Sequence, residues 1–181
     1  MPLDFIEVNE RIKERCAALS IIPTNRSLLV SITAQKMALM ADDGLLKTYT
    51  VSTSLKAPSC VADSNGTPTG LHAVADKIGH SQPRGTVFKG RVPTGKLFPE
   101  YDGEEAKRNL ITSRILRLRG LEPGHNAGLG CDSYDRYIYI HGTNHEERIG
   151  QPFSGGCVEM RNTEVIELFE SVEGGDLVWI F

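Results

Sequence analysis

Two stretches of this chain alternate so strictly that they leave few architectures open. Arg114, Leu116 and Leu118 alternate with Ile115, Arg117 and Arg119, and Tyr137, Tyr139 and His141 alternate with Ile138 and Ile140. Successive side chains on a strand point to opposite faces, so each stretch predicts a half-buried strand. His141 then shares the tyrosine face, with two tyrosines lining the approach to its imidazole and the isoleucines filling the core behind it. Ser27–Thr33, Lys36–Met40, Tyr49–Thr53, Leu71–Ile78, Val87–Arg91 and Leu177–Phe181 are further β-prone runs, and Asp42-Asp43-Gly44 is a turn between two of them.

Helical spacing is scarce. Val8, Ile12, Cys16 and Leu19 predict an amphipathic helix over roughly 5–19, ended by Ile21-Ile22-Pro23-Thr24-Asn25. Val165, Leu168, Phe169 and Val172 predict a second, with Asn162 as its cap and Gly174-Gly175 as its stop. Residues 54–70 read as a long loop, Pro93 to Gly103 as irregular, and Glu104–Asn109 as a helical turn. A parallel α/β sheet needs helices between its strands, and this sequence does not offer them. The expected fold is mainly β, a sandwich with an N-terminal amphipathic helix.

The 181 residues, 40% hydrophobic, have room for one domain: a helical appendage over 1–24 and the domain proper over 25–181. A net charge of −3 with acids and bases interspersed gives no footprint for nucleic acid or an anionic membrane. No run approaches the roughly 18 apolar residues of a membrane span. The segment Met1-Pro2-Leu3-Asp4-Phe5-Ile6-Glu7 lacks the basic and apolar regions of a signal peptide, so a cytoplasmic protein is expected. A chain whose leader had been removed looks the same and belongs in the periplasm. Cys16, Cys60, Cys131 and Cys157 are scattered without a CxxC, which fits reduced thiols.

The chemistry concentrates in His141-Gly142-Thr143 and Ser154-Gly155-Gly156-Cys157-Val158-Glu159-Met160. A free thiol ionises near ~8.5 and a nearby imidazolium lowers that, so His141 is the natural activator of Cys157 and a depressed thiol is expected. Glycines at 155 and 156 leave backbone N–H groups uncovered beside the sulfur, as an oxyanion site requires. A free cysteine is more often a small buried hydrophobe, and order and spacing decide against that reading here. The segment resembles the signature of the L,D-transpeptidase (YkuD) family, a His-Gly-Thr strand end followed by Ser-x-Gly-Cys and an aliphatic residue. The resemblance extends to Leu29–Thr53, Thr67–Gly79, Thr112–Gly120 and the C-terminal helix and strand.

That resemblance implies a mainly β sandwich with one helix after the cysteine. It implies that Cys157 attacks a carbonyl in a peptidoglycan stem peptide and expels terminal D-alanine, with His141 as base and the Gly142 carbonyl orienting it. The N–H groups of Gly156 and Cys157 are the expected oxyanion donors, and Tyr139, Ser154, Gly155, Glu159 and Arg161 the expected substrate contacts. Many members carry a larger residue at position 155 and Arg at 159; Arg161 is the candidate to take over a carboxylate contact. The acyl-enzyme passes to water in an L,D-carboxypeptidase and to an amine in a cross-linking L,D-transpeptidase, and a leaderless chain favours the first, acting on recycled muropeptides. Carbapenem-type β-lactams are expected as covalent inhibitors. The alternatives are a non-catalytic muropeptide-binding module and a thiol-redox protein, the latter without a resolving cysteine close in sequence.

No cofactor or metal is called for. Gly90-Arg-Val-Pro-Thr-Gly-Lys96 fits GxxxxGK, but Leu97 stands where a P-loop needs Ser or Thr. His145-Glu146 starts an HExxH that Ile149 fails to complete. His72, His80 and His125 read as surface or loop residues, and Arg114, Arg117 and Arg119 as a charged solvent face rather than the alternative, a substrate patch.

Overall fold

The computed structural model describes residues 4–42 and 44–181. Helix α1 (Phe5–Leu19) precedes the hairpin-linked strands β1 (Arg26–Ser31), β2 (Lys36–Ala41) and β3 (Gly44–Thr50). A long loop leads to β4 (Gly70–Ile78), β5 (Thr86–Lys89), β6 (Val92–Leu97), a 3-10 turn at Phe98–Glu100 and the short α2 (Gly103–Lys107). Then come β7 (Ile111–Gly120), β8 (Tyr139–Thr143), a 3-10 turn at Glu146–Arg148, β9 (Val158–Met160), α3 (Asn162–Ser171) and β10 (Leu177–Ile180).

The strands form one sheet in the order β3-β2-β1-β10-β4-β7-β5-β6, with β8 paired to β7 and β9 to β8. Ser52, just past β3, bridges Glu159 of β9 through reciprocal backbone bonds of 2.9 and 2.8 Å. That bridge brings the two ends of the curled sheet together around a common interior. Leu28, Val30, Met37, Leu39, Leu116, Leu118, Ile138, Ile140, Val158 and Met160 meet Val165, Leu168 and Phe169 of α3 there. On the outer face, Leu29, Ala38, Met40, Leu71 and Leu177 are covered by Phe5, Val8, Ile12 and Cys16 of α1. Each large apolar side chain so buried is worth about 1.5–3 kcal/mol. Asp4 caps α1 by accepting from the Ile6 N–H at 2.9 Å, and Ser20 ends it in the left-handed region, φ 56°. No helix among the described residues is long and apolar enough to cross a membrane.

The mainly β class, the N-terminal helix and the helix after Cys157 are as the sequence predicts. Several local readings are corrected. Pro93 lies inside β6 rather than in an irregular segment, because β6 is the sheet edge and an edge strand tolerates a missing donor. The strand read at Tyr49–Thr53 is β3 at Gly44–Thr50, paired with β2 across Ala41 and Gly44. Asp43 of the turn between them, like Met1 to Leu3 of the segment read for a leader, lies outside the described residues. Arg114 and Arg117 are buried rather than on a solvent face: Arg114 donates to the Gln82 and Ser113 carbonyls, and Arg117 lies 3.3 Å over the Tyr134 ring. His72 is not a loop or surface residue but fully buried, bonded to the Gly70 carbonyl at 3.0 Å and the Ser133 hydroxyl at 2.9 Å.

Candidate active site

Three strands build the site. β7 and β8 are antiparallel, with Ile115 opposite His141, and β8 and β9 are parallel, with His141 opposite Glu159. Ile138, Ile140, Val158 and Met160 therefore face the main core, and Tyr139, His141, Cys157 and Glu159 share the other face. A small apolar cluster of Phe88, Ile115 and Tyr139, with Ile78, Ile111 and Cys157 packed against it, floors that face.

His141 is 3% exposed, and its Nδ1 lies 2.7 Å from the Gly142 carbonyl. A carbonyl only accepts, so Nδ1 carries the proton and Nε2 presents its lone pair. Residue 142 has to be glycine for steric reasons. A Cβ there would stand 2.7 Å from the Thr112 carbonyl and 2.7 Å from Asn162 Oδ1. Asn162 ties this corner together: Oδ1 accepts from the Thr112 and Ser113 hydroxyls at 2.6 and 2.5 Å, and Nδ2 donates to the Thr143 carbonyl at 2.8 Å. It is the first residue of α3 rather than its cap. Arg161 is the N-cap and offers no side-chain bond, while Glu146 accepts from the Asn162 N–H at 2.6 Å.

Cys157 Sγ accepts from the Tyr139 N–H at 3.4 Å and donates to the Tyr137 carbonyl at 3.5 Å. Tyr137 is 51% exposed and held in the left-handed region, φ 56°, just before β8 begins. Of the two tyrosines expected beside the imidazole, only Tyr139 is on the strand, its ring edge-on to His141 with centroids 6.5 Å apart. Among the described residues Sγ has no hydrogen bond to His141. Burial, only partly offset by the Tyr139 N–H, pushes the Cys157 thiol up to about 12; the Glu159 carboxylate raises it by less than that N–H lowers it, and Arg136 lowers it least. The expected depressed thiol is thus replaced by a neutral one, because burial costs the thiolate more than the nearby donors return.

Ser154 shapes the turn into the nucleophile, donating to the Cys157 carbonyl at 2.6 Å and accepting from the Gly156 N–H at 3.2 Å. The Cys157 N–H has no protein acceptor among the described residues. Gly156 adopts φ +126°, which requires glycine, and a Cβ there would also sit tightly, 3.3 Å from the Gly66 carbonyl. Gly155 is exposed at the mouth of a cavity of about 310 Å³ lined also by Asp63, Asn65, Asp135, Arg136 and Tyr137.

Residues 25–180 match the YkuD family, the L,D-transpeptidase catalytic domain. The chain belongs to this family. Two Bacillus subtilis (strain 168) proteins named as candidate L,D-transpeptidases are similar to it. YqjB is 26% identical over 88% of this chain and 73% of its own length, and YkuD 28% identical over 92% and 87%. Solved structures share the fold at lower identity. The L,D-transpeptidase of Xylanimonas cellulosilytica DSM 15894 gives a TM-score of 0.54 at 16% identity, over 88% of this chain and 62% of that one. L,D-transpeptidase 3 of Mycobacterium tuberculosis, solved with a faropenem-derived adduct, gives 0.54 at 13% identity, over 86% and 60%. The chain thus spans less than two thirds of each of those two solved chains.

Within the YkuD frame, the structure brings Tyr139, His141, Gly142, Ser154, Gly155, Gly156, Cys157 and Glu159 to one corner of the sheet. Arg161 stands apart, its guanidinium 3.8 Å from Glu164. Glu159 is 1% exposed, with Oε1 accepting from Asn109 Nδ2 at 2.5 Å and Oε2 without a partner. Arg136 and Asn162 were missed by sequence reasoning. Arg136 donates to the Ser59 and Gly66 carbonyls at 3.0 and 2.8 Å, clamping the loop that packs on Gly156. Neither residue lies in a motif or a periodic run; the one available signal was an amide beside the helix start, read as a cap.

Proposed function

We propose that the protein is a cysteine acyl-transfer enzyme acting on the L,D-peptide bond of peptidoglycan stem tetrapeptides, and that it works as an L,D-carboxypeptidase. The observation that carries this reading is His141, its tautomer set by the Gly142 carbonyl, on the same strand face as Cys157. His141 Nε2 takes the thiol proton as Sγ attacks the carbonyl carbon of the diamino-acid residue. The tetrahedral oxyanion meets the Cys157 N–H, and the Gly156 N–H once it leaves Ser154 Oγ. Collapse expels D-alanine, whose nitrogen takes the proton back from His141. Gly155, exposed beside the nucleophile, borders the path of the substrate chain, whereas Glu159, expected as a substrate contact, is buried against Asn109 and acts on the site only through its charge. The acyl-enzyme then passes to water, which needs no binding subsite of its own, so hydrolysis asks for no parts beyond those described. Soluble muropeptides in the cytoplasm fit that fate.

A second reading, cross-linking of stem peptides, is favoured by the cavity beside Gly155. Its Asp63 and Asp135 carboxylates suit the ammonium of an incoming amine. The test is mass spectrometry of a diaminopimelate-containing tetrapeptide incubated with the protein. Tripeptide plus free D-alanine supports the carboxypeptidase; a predominance of cross-linked dimers supports the transpeptidase. No product with intact protein, and no adduct on Cys157, would return the chain to a muropeptide-binding role.

A further inference from the structure

A second cysteine faces a second imidazole, away from the β8–β9 corner. Cys60 lies in the long loop between β3 and β4, and its Sγ is 3.6 Å from His125 Nε2. Thr69 completes the cluster. Its hydroxyl is 3.2 Å from the same imidazole nitrogen, and its carbonyl accepts from Cys60 Sγ at 3.7 Å. The Asn126 amide fixes that carbonyl from behind at 2.9 Å. His125 is exposed and Cys60 half-buried, so solvent species reach both. The Arg136 guanidinium, bonded to the carbonyl of the adjacent Ser59, lies within electrostatic reach of the Cys60 sulfur. A cation and a base beside an accessible thiol are what nucleophilic cysteines require.

The other cysteines outside the catalytic corner lack this setting. Cys16 is fully buried under α1, and Cys131 Sγ donates to the Ala127 and Gly128 carbonyls with no imidazole beside it. A groove of about 390 Å³ runs from Thr69 and His125 past Glu122 to Trp179. Cys60 does not line it, but Thr69 and His125, which do, are the residues that meet Cys60 Sγ.

We propose that Cys60 and His125 form a second thiol site, at which the protein takes up a small disulfide by thiol–disulfide exchange. His125 Nε2 accepts the Sγ proton, and the thiolate attacks one sulfur of the incoming disulfide. That S–S bond breaks, a Cys60–S–S–R bond forms, and the departing thiolate collects the proton from His125. Cys60 is oxidised to a mixed disulfide and the co-reactant is reduced to one thiol. The exchange is reversed by excess thiol. The site adjoins the catalytic corner through one loop, since Arg136 holds both Ser59 and the Gly66 that packs on Gly156.

The test uses the full chain carrying Cys157→Ser, so that the catalytic thiol does not compete. The protein is treated with 2-hydroxyethyl disulfide at neutral pH and the adducts are mapped by peptide mass spectrometry over time. Cys60 is expected to react about tenfold faster than Cys131, and dithiothreitol to remove the adduct. His125→Gln is expected to slow Cys60 about tenfold and leave Cys131 unchanged. Buried Cys16 is the internal control for folding: if His125→Gln exposes it, the comparison is made with His125→Asn. Equal rates at Cys60 and Cys131, or a Cys60 rate indifferent to loss of the imidazole, would overturn the proposal.

Discussion

Replacing Glu159 by glutamine removes a buried negative charge from the neighbourhood of the nucleophile while keeping an acceptor oxygen for Asn109. Burial is the larger cause that holds the Cys157 thiol at about 12, and the Glu159 carboxylate adds to it. Residues two apart on an extended chain lie about 6.6 Å apart. At an effective dielectric constant of about 20, one unit charge at that distance is worth at most about 2.5 kcal/mol, an upper bound because the carboxylate ranks below the Tyr139 N–H among the causes. Glu159→Gln is therefore expected to raise the thiolate fraction of Cys157 by several-fold, up to about 60-fold, wherever the thiol remains mostly protonated, from pH 7 to about pH 9. The assay is the rate of iodoacetamide alkylation at Cys157, followed by peptide mapping across pH. For the unsubstituted protein the logarithm of that rate should climb with unit slope through this range, and for the variant it should run parallel and higher. A gain below about threefold refutes the electrostatic argument. A rate plateau near neutral pH in the unsubstituted protein refutes the neutral resting thiol and points to a standing thiolate–imidazolium pair.

Cys157→Ala and His141→Ala are each expected to lower D-alanine release by on the order of 10³-fold or more, with the double variant little worse, because members of one catalytic unit are not additive. Multiplicative losses would show that the two act separately. Gly142→Ala forces a methyl against the Thr112 carbonyl at 2.7 Å, and should cost about 1–3 kcal/mol of stability in denaturant titrations; an unchanged midpoint contradicts the packing. Burial lowers His72 to about 4. Above the unfolded value of ~6.5 that contribution to stability is fully present, and it is lost as pH falls, by about 2.4 kcal/mol between pH 7 and pH 4.5. His72→Gln should flatten that part of the stability profile, and an unaltered profile argues that another group carries it. A carbapenem is expected to leave a covalent adduct on Cys157, as intact and peptide masses will show; an adduct on Cys60 instead would mean that the thiol beside His125, not the family nucleophile, is the reactive one.

Much of the site was legible because its residues are consecutive. Alternation from Ile138 to His141 names the face of the imidazole, and the glycines at 142 and 156 mark places where a side chain would strike backbone. β9 was not legible: three residues, Val158 to Met160, are too few to show a period, and the strand exists through its pairing with β8 and the Ser52 bridge. Arg114 and Arg117 misled for a related reason. A charged residue in an alternating run reads as solvent-facing, yet both guanidiniums are buried because carbonyls and the Phe169 and Tyr134 rings receive them. His72 misled likewise, since its two partners, one of them 61 residues away, appear only when β4 and the loop before β8 meet.

The electrostatics were the least legible, and the closure of the sheet explains why. Glu159 binds Ser52 through its backbone where the two ends of the curled sheet meet, which buries its side chain beside the nucleophile. A sequence shows that an acidic residue stands two positions after Cys157; it does not show that this bridge buries its carboxylate beside a half-buried sulfur. Burial reverses the expected effect on the thiol. In water a histidine a few ångströms away suffices to lower a thiol, whereas in a partly desolvated corner the thiolate must be matched by donors, and the Tyr139 N–H is the one hydrogen bond Sγ accepts among the described residues. On the proposed mechanism, proton transfer to His141 accompanies the attack on substrate. Parallel alkylation profiles of the Glu159 variant and the unsubstituted protein are the measurement that tests this ordering.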